Sequence, residues 1–274
     1  TFFIDIISAE GTSEAFCCNS LKLIELFCQL VLEDNDTEIP YAKSVELANN
    51  LQNISQTIYT FLGGVITSGS ENTKMISSAL STLKYFFRWL DPREIVSNQI
   101  FQSLCTDFLP NQAYVTPVLE LFYDLFSNEL PDEIKPIVPQ IFNLMITSLN
   151  ALFSNNPDFD FNQLLQNDRS FSRFVRILPM ALSAFIQKYA DLLEIPDNLQ
   201  QIHLSLNWIC NLMLIDDEDI LTTCTEFWLY ISRRCHRSKT VSGGNQDEFL
   251  ILSNIYAPLF SIVRRRLIQR MQEP

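Results

Sequence analysis

The side chains that could perform covalent chemistry are few in this chain. It contains two histidines and seven cysteines, and one of each is adjacent at Cys235-His236. A cysteine nucleophile with a histidine base would need these two residue types. Successive residues on a helix, however, point about 100° apart, and no motif supplies an Asn or Asp partner. We interpret the pair as a chance adjacency and expect no enzymatic activity. The alternative from a different class is an enzyme with Cys235 or Cys105 as its nucleophile.

Patterns of metal ligands are equally incomplete. His203 has no second ligand at a suitable spacing, which is typical of a packed or hydrogen-bonded helix residue. Cys17 and Cys18 are adjacent rather than separated by two residues, which disfavours zinc and redox motifs. The run DDED at 216–219 lacks the alternating ligands and central glycine of an EF-hand loop. We predict that the run at 216–219 caps a helix, and an acidic contact for a basic partner is the alternative. No cofactor or metal is expected.

The charge and residue composition of the chain limit the classes of partner that it could bind and the compartment in which it could fold. The net charge of −13 disfavours wrapping of a nucleic-acid backbone and favours basic protein surfaces as partners. The late arginines are expected to pair with acidic neighbours. The scattered cysteines suit reduced thiols in the cytosol or nucleus. The stretch 21–32 is broken by polar residues, and we expect no membrane-spanning helix of about 20 apolar residues. No secretory signal is visible, and Thr1 is expected to be a cut edge.

Helical periodicity dominates the chain, and strand alternation is not sustained. After a short helix at 1–8, helices are predicted near 13–33, 43–67, 71–90, 92–108, 112–128, 134–153, 168–194, 197–214, 217–236 and 247–272. Their spacing is close to that of HEAT repeats, about 40–47 residues each. We therefore predict an all-α fold, an α-α superhelix or HEAT-repeat solenoid. Residues 1–274 would form one array of helix pairs at 1–33, 43–90, 92–128, 134–194, 197–236 and 247–274.

Two stretches present candidate contact residues. In TLKYFFRWLDPREIV at 82–96, most of the aromatic residues are expected to pack between repeats. Tyr85 lies nearly opposite the apolar face on a helical wheel and is expected to point into solvent. On the helix predicted at 217–236, Glu226, Leu229 and Arg233 lie opposite the apolar face. These four residues are the predicted partner-binding side chains.

Four stretches resemble the exportin family of karyopherin-β nuclear export receptors, in order and in spacing. They are TFFIDIISAEGTSEAFCCNSLKLIELFCQLV, ALSTLKYFFRWLDPREIV, CTEFWLYISRRCHRS and IYAPLFSIVRRRLIQRMQEP. The similarity is weakest between about 154 and 215, and the inserts at 154–168 and 238–246 depart from the family pattern. An unrelated HEAT-repeat scaffold or adaptor protein is the alternative within the same architecture.

The resemblance implies a function in nuclear export. The chain would be an early-to-middle segment of a longer receptor that carries leucine-rich-signal cargo through nuclear pores with Ran-GTP, and that shuttles between nucleus and cytoplasm. Expected partners of the whole receptor are Ran-GTP, export cargo and nucleoporins, without direct contact to nucleic acid or membrane. This segment would serve as a structural arch with a possible Ran contact. The family's cargo groove is expected in later repeats.

Overall fold

The computed structural model describes residues 14–32, 41–67, 72–87, 90–154, 161, 169–240 and 246–272, and every regular element in these ranges is helical. The all-α, HEAT-like fold class is confirmed. Two compact units divide the chain, Thr1–Leu125 and Phe126–Pro274. The organisation into one continuous array stays a prediction, and the inserts at 154–168 and 238–246 lie largely outside the described residues.

Three long helices lie in the first unit. They are α1 (Glu14–Leu32), α2 (Tyr41–Thr67) and α3 (Thr73–Phe87), and α3 packs against both of the others. The Asn72 side chain caps α3 by accepting a hydrogen bond from the Met75 amide at 3.1 Å. Each helix begins and ends within three residues of its predicted position.

The helix predicted at 92–108 is instead broken into α4 (Pro92–Ser97), α5 (Gln99–Ser103) and a π-helical turn (Leu104–Phe108). Asn98 is the cause of the first break. Its backbone is extended, at φ −84° and ψ 145°, and its side chain accepts a hydrogen bond from the Ile100 amide. Because that side chain replaces a backbone acceptor, it starts a new helix rather than continuing the old one. After this break comes α6 (Val115–Ser127).

The second unit contains the longer series of helices. After α6 come α7 (Val138–Ser154), α8 (Arg169–Leu193), α9 (Leu199–Leu212), α10 (Glu218–Thr240) and α11 (Gln246–Gln272). Helix α8 contacts α7, α9 and α10, and α11 contacts α9 and α10. Stacked aromatic rings contribute to this core, since the Phe126 and Phe185 ring centroids lie 4.2 Å apart.

The expectation that Tyr85 points into solvent is wrong. Its side chain is 0% exposed, as are Leu83 and Phe86 on the same helix. Helix α3 has neighbours on two sides, α1 and α2, so the side of the wheel opposite the main apolar stripe is also covered. The packing role predicted for Phe86 and Phe87 is confirmed by their burial, whereas Trp89 lies outside the described residues.

One segment, Lys135–Ser154, is long and apolar enough to cross a membrane by length and composition. No such segment was expected from the sequence. Eight residues of α7 are nevertheless buried, and the helix packs against α8 and α9. The core helix of a soluble protein has these properties, and on this packing we interpret α7 as a core helix.

Candidate functional site on helix α10

Helix α10 is fixed at its start by charge and capping. Asp217 accepts a hydrogen bond from the Ile220 amide at 3.1 Å, and its second carboxylate oxygen accepts one from Arg176 of α8 at 2.7 Å. Glu218 and Asp219 occupy the first turn, where carboxylates favour the helix dipole. The capping role predicted for 216–219 is confirmed. The described residues contain no cluster of ligands suited to a metal ion.

One side of α10 is buried, and the other is open. The predicted apolar face is confirmed, because its members are all buried: Ile220, Cys224, Phe227, Trp228 and Ile231. On the opposite side Leu229 is 47% exposed, and Glu226 and Arg233 are exposed as well. These last three residues form a surface that we call the α10 contact face. It combines an acidic, an apolar and a basic side chain within about two helical turns.

Polar contacts hold α10 to α8 behind this face. The Tyr230 hydroxyl donates to the Gln187 carbonyl at 3.1 Å. Arg234 donates from Nε and Nη2 to the Glu194 carboxylate at 3.2 and 2.7 Å, and from Nη2 to Asp191 at 2.5 Å. These contacts fix the rotation of α10 about its axis, and therefore the direction in which the contact face points.

The Glu194 carboxylate also joins α11 to this arrangement. It accepts a hydrogen bond from the Tyr256 hydroxyl at 2.8 Å. Burial, and then the negative charge of Glu194, raises the pKa of Tyr256 above its ordinary value. Burial alone would lower the pKa of Arg234, but hydrogen bonds and charge from Glu194 and Asp191 raise it, so the guanidinium stays charged. We call Asp191, Glu194, Arg234 and Tyr256 the Glu194 cluster.

An open groove lies on the other flank of α10, against α11. Its volume is about 410 Å³. It is lined mainly by apolar side chains of these two helices together with one arginine: Met213, Thr225, Trp228, Leu229, Ser232, Phe260, Val263, Arg264, Leu267 and Ile268. We call it the α10–α11 groove. It adjoins the α10 contact face at Leu229.

Three residues whose types could support catalysis, His203, Cys105 and Cys235, lie in surroundings that favour a structural role. The His203 Nε2 atom lies 3.0 Å from the Ile255 carbonyl oxygen, as expected for a hydrogen-bonded helix residue. Burial raises the pKa of the Cys105 thiol to about 12. Burial, and then the charge of Glu194, also raises the pKa of Cys235. A thiol with a raised pKa is a poor nucleophile at neutral pH, which weighs against the enzyme hypothesis at both positions.

Two of the late arginines pair with carboxylates, as expected. Arg234 pairs with Glu194 and Asp191, and Arg270 lies 3.3 Å from Asp216. The exposure of Glu226, Leu229 and Arg233 agrees with their predicted position opposite the apolar face, whereas the Glu194 cluster and the α10–α11 groove are not predicted by the sequence. The exposed leucine and isoleucine of the motif RRRLIQR at 264–270 were the available signal for the groove.

Comparisons with known proteins show similarity to exportin-1 proteins. The family model described as Exportin 1-like protein matches residues 1–122. Protein EXPORTIN 1B of Arabidopsis thaliana is 21% identical over 296 residues, which cover 100% of this chain and 27% of the relative. This chain is similar to exportin-1. Exportin-1 of Dictyostelium discoideum is 19% identical, with 100% and 27% covered.

A second plant relative agrees with these two. Protein EXPORTIN 1A of Arabidopsis thaliana is 20% identical over 83% of this chain and 21% of the relative. The resemblance to exportins expected from the sequence is thereby confirmed. The chain spans about a quarter of the length of these relatives, as their coverage of 27%, 21% and 27% shows. The residues matched by the family model precede α10, so the α10 contact face lies outside that match.

Proposed function

We propose that this chain is a scaffold segment of a nuclear export receptor. In the whole receptor, cargo with leucine-rich signals would be carried through nuclear pores together with Ran-GTP, with nucleoporins as further partners and shuttling between nucleus and cytoplasm. The observation that carries the proposal is similarity to exportin-1 proteins along the entire chain. The all-helical architecture supports it, because stacked helix pairs give a scaffold with extended surfaces.

Within this scaffold, the α10 contact face is the proposed point of contact with Ran-GTP. Its three side chains are exposed, and α10 is held in a fixed orientation by Tyr230 and Arg234. Rigid presentation reduces the entropy that binding must overcome. Tyr85 is not included, because a side chain that is 0% exposed presents nothing to a partner.

The test reverses two charges in the full-length receptor. The double variant Glu226→Lys, Arg233→Glu keeps the net charge but exchanges the signs on the contact face. We expect Ran-GTP affinity, measured by fluorescence titration, to fall about tenfold, since like charges replace complementary ones.

A matched control exists on α2. Lys43 and Glu46 are both exposed and paired with each other at 2.9 Å, and Lys43→Glu, Glu46→Lys exchanges their signs in the same way. This variant should bind Ran-GTP normally. Equal affinity of both double variants and the unaltered receptor would remove the α10 contact face from the proposal. Failure of the unaltered receptor to bind Ran-GTP would refute the proposed function itself.

A further inference from the structure

Helix α8 is kinked at Tyr189, about one turn before its end. The Tyr189 backbone lies outside the helical region, at φ −118° and ψ 22°. Proline is not the cause, because Pro179 lies in the middle of α8 and a proline ring clashes with the carbonyl four residues before it, at Val175. Another cause of helix kinks is a side chain that inserts into the ladder of backbone hydrogen bonds.

Tyr230 of α10 supplies such a side chain. Its hydroxyl donates to the Gln187 carbonyl of α8, just before the kink, at 3.1 Å. A helix carbonyl that turns towards an outside donor weakens its own backbone hydrogen bond, which lets the helix change direction there. Tyr189 is held from the other side, because its side chain is buried and its hydroxyl donates to the Asn128 carbonyl at 2.8 Å. Two tyrosine hydroxyls therefore fix the kink.

Beyond the kink, the last turn of α8 carries the carboxylates that hold α10. Asp191 and Glu194 both accept hydrogen bonds from Arg234, and Tyr256 of α11 donates to Glu194 at 2.8 Å. Helix α10 is thus bonded to α8 on each side of the kink, through Tyr230 before it and through Arg234 after it. Residues four apart lie on one side of a helix, so these two side chains resist rotation of α10 together.

The α10 contact face turns with these two anchoring side chains. Leu229 directly precedes one of them in the chain, and Arg233 directly precedes the other, so their directions differ from those of the anchors by a fixed angle of about 100°. If α8 were straight, its last turn would carry Glu194 away from Arg234, and α10 would have to rotate or lose the ion pair. The direction of the contact face therefore depends on the kink in α8.

We infer that the Tyr189 kink is a positioning device for the α10 contact face, with Tyr230 and Glu194 as its positioning residues. Neither belongs to the contact face, because Glu194 is buried and the Tyr230 hydroxyl is bonded to the Gln187 carbonyl. They hold α10 at the rotation in which the three side chains of the face are presented together. The consequence for Ran-GTP binding rests on the function proposed above, whereas the orientation of α10 can be measured without a partner.

The first test measures that orientation in the full-length receptor. Spin labels are placed at Lys188 of α8 and Thr222 of α10, two exposed positions outside the contact face, through a noncanonical amino acid that leaves the seven cysteines unlabelled. Double electron–electron resonance then gives the distribution of distances between the two labels. We expect Tyr230→Phe and Glu194→Gln each to shift or broaden it. Tyr59→Phe is the control and should leave it unchanged, because it removes a buried hydroxyl that has no hydrogen-bond partner among the described residues.

The second test measures Ran-GTP affinity by fluorescence titration of the full-length receptor. Tyr230→Phe should weaken binding about threefold, the factor that corresponds to one ordinary hydrogen bond. A purely structural defect would weaken binding by the same factor in any background. A positioning role predicts that the effect disappears once the face is truncated by Glu226→Ala, Leu229→Ala and Arg233→Ala, because a face without these side chains gains nothing from correct rotation.

The outcomes separate this role from the proposed function. Unchanged label distances in both variants would overturn the positioning role, whatever the partner. Equal losses of affinity in the intact and truncated receptors would also overturn it, as would shifted distances with unaltered affinity. Normal Ran-GTP binding after charge reversal of the contact face would instead refute the proposed contact, and the label distances alone would then decide the role of the kink.

Discussion

The sharpest stability test compares two carboxylates that share one arginine. Glu194 and Asp191 both accept hydrogen bonds from Arg234, but their side chains are 6% and 85% exposed respectively. Replacing either residue by alanine removes an ion pair with the same cation. The two changes should nevertheless have very different effects on the free energy of unfolding, because only one carboxylate is shielded from water.

The magnitude for Glu194→Ala follows from what the change leaves behind. It removes both hydrogen bonds from Arg234 and the one from the Tyr256 hydroxyl. Breaking a buried ion pair by removing one partner costs about 3–5 kcal/mol. Arg234 remains 21% exposed and keeps Asp191, which places the expected loss near the lower bound, about 3 kcal/mol. The exposed pair in Asp191→Ala should be worth about 0–1 kcal/mol.

The assay is urea unfolding followed by far-ultraviolet circular dichroism, with the shift in midpoint converted through the slope of the transition. Glu194→Gln serves as a control for side-chain volume, because it removes the charge and keeps the size. Tyr256→Phe should cost about 1 kcal/mol, since it removes one hydrogen bond and leaves the ion pair intact. Equal losses for Glu194→Ala and Asp191→Ala would refute the reasoning, as would a loss below about 1 kcal/mol for Glu194→Ala.

Three other predictions use the same unfolding assay. Gly64→Ala in α2 should stabilise by about 0.5–1 kcal/mol, because a Cβ there meets open space, whereas Gly63→Ala should destabilise, because its Cβ would overlap the Ile100 side chain; equal effects of the two changes would contradict this packing. Trp228→Ala should cost about 3–5 kcal/mol as a large-to-small core change, and a loss below about 1 kcal/mol would indicate an exposed contact residue instead. The contribution of the Cys105 thiol to the free energy of unfolding should be fully present below pH 9.0 and should fall as pH rises towards about 12, because the pKa of Cys105 is raised from 9.0 to about 12 in the folded chain. Measured over this range, the decline should become shallower in Cys105→Ala, by up to about 1.4 kcal/mol per pH unit, and an unchanged slope would contradict the pKa assignment.

Helix positions could be predicted from the sequence because one strong local signal determines them. The periodicity of Ile220, Cys224, Phe227 and Ile231 specifies both α10 and its buried face, and hence the exposed side opposite. The break at Asn98 could not be predicted in the same way. Asparagine is only mildly unfavourable inside a helix, and its side chain becomes a cap when tertiary packing favours a change of direction there.

Two further features depend on contacts that local periodicity does not contain. A helical wheel assigns Tyr85 to the solvent side, but α3 has packing partners on two sides. The Glu194 cluster joins residues that are 40 and 62 positions apart in the chain, with no motif to connect them. Periodicity predicts which side of a helix is apolar, whereas polar partners between helices are determined by how the helices are arranged in space.

The buried thiols offer a way to time the opening of each unit separately. Cys105 belongs to the first unit and Cys224 to the second, and both are 0% exposed. An alkylating reagent reaches either sulfur only after the surrounding helices separate, so each labelling rate reports local opening. In variants that keep one of these cysteines and replace the others, equal rates would mean that the units open as one cooperative block. Unequal rates would rank their kinetic stabilities and show which unit a protease or chaperone meets first.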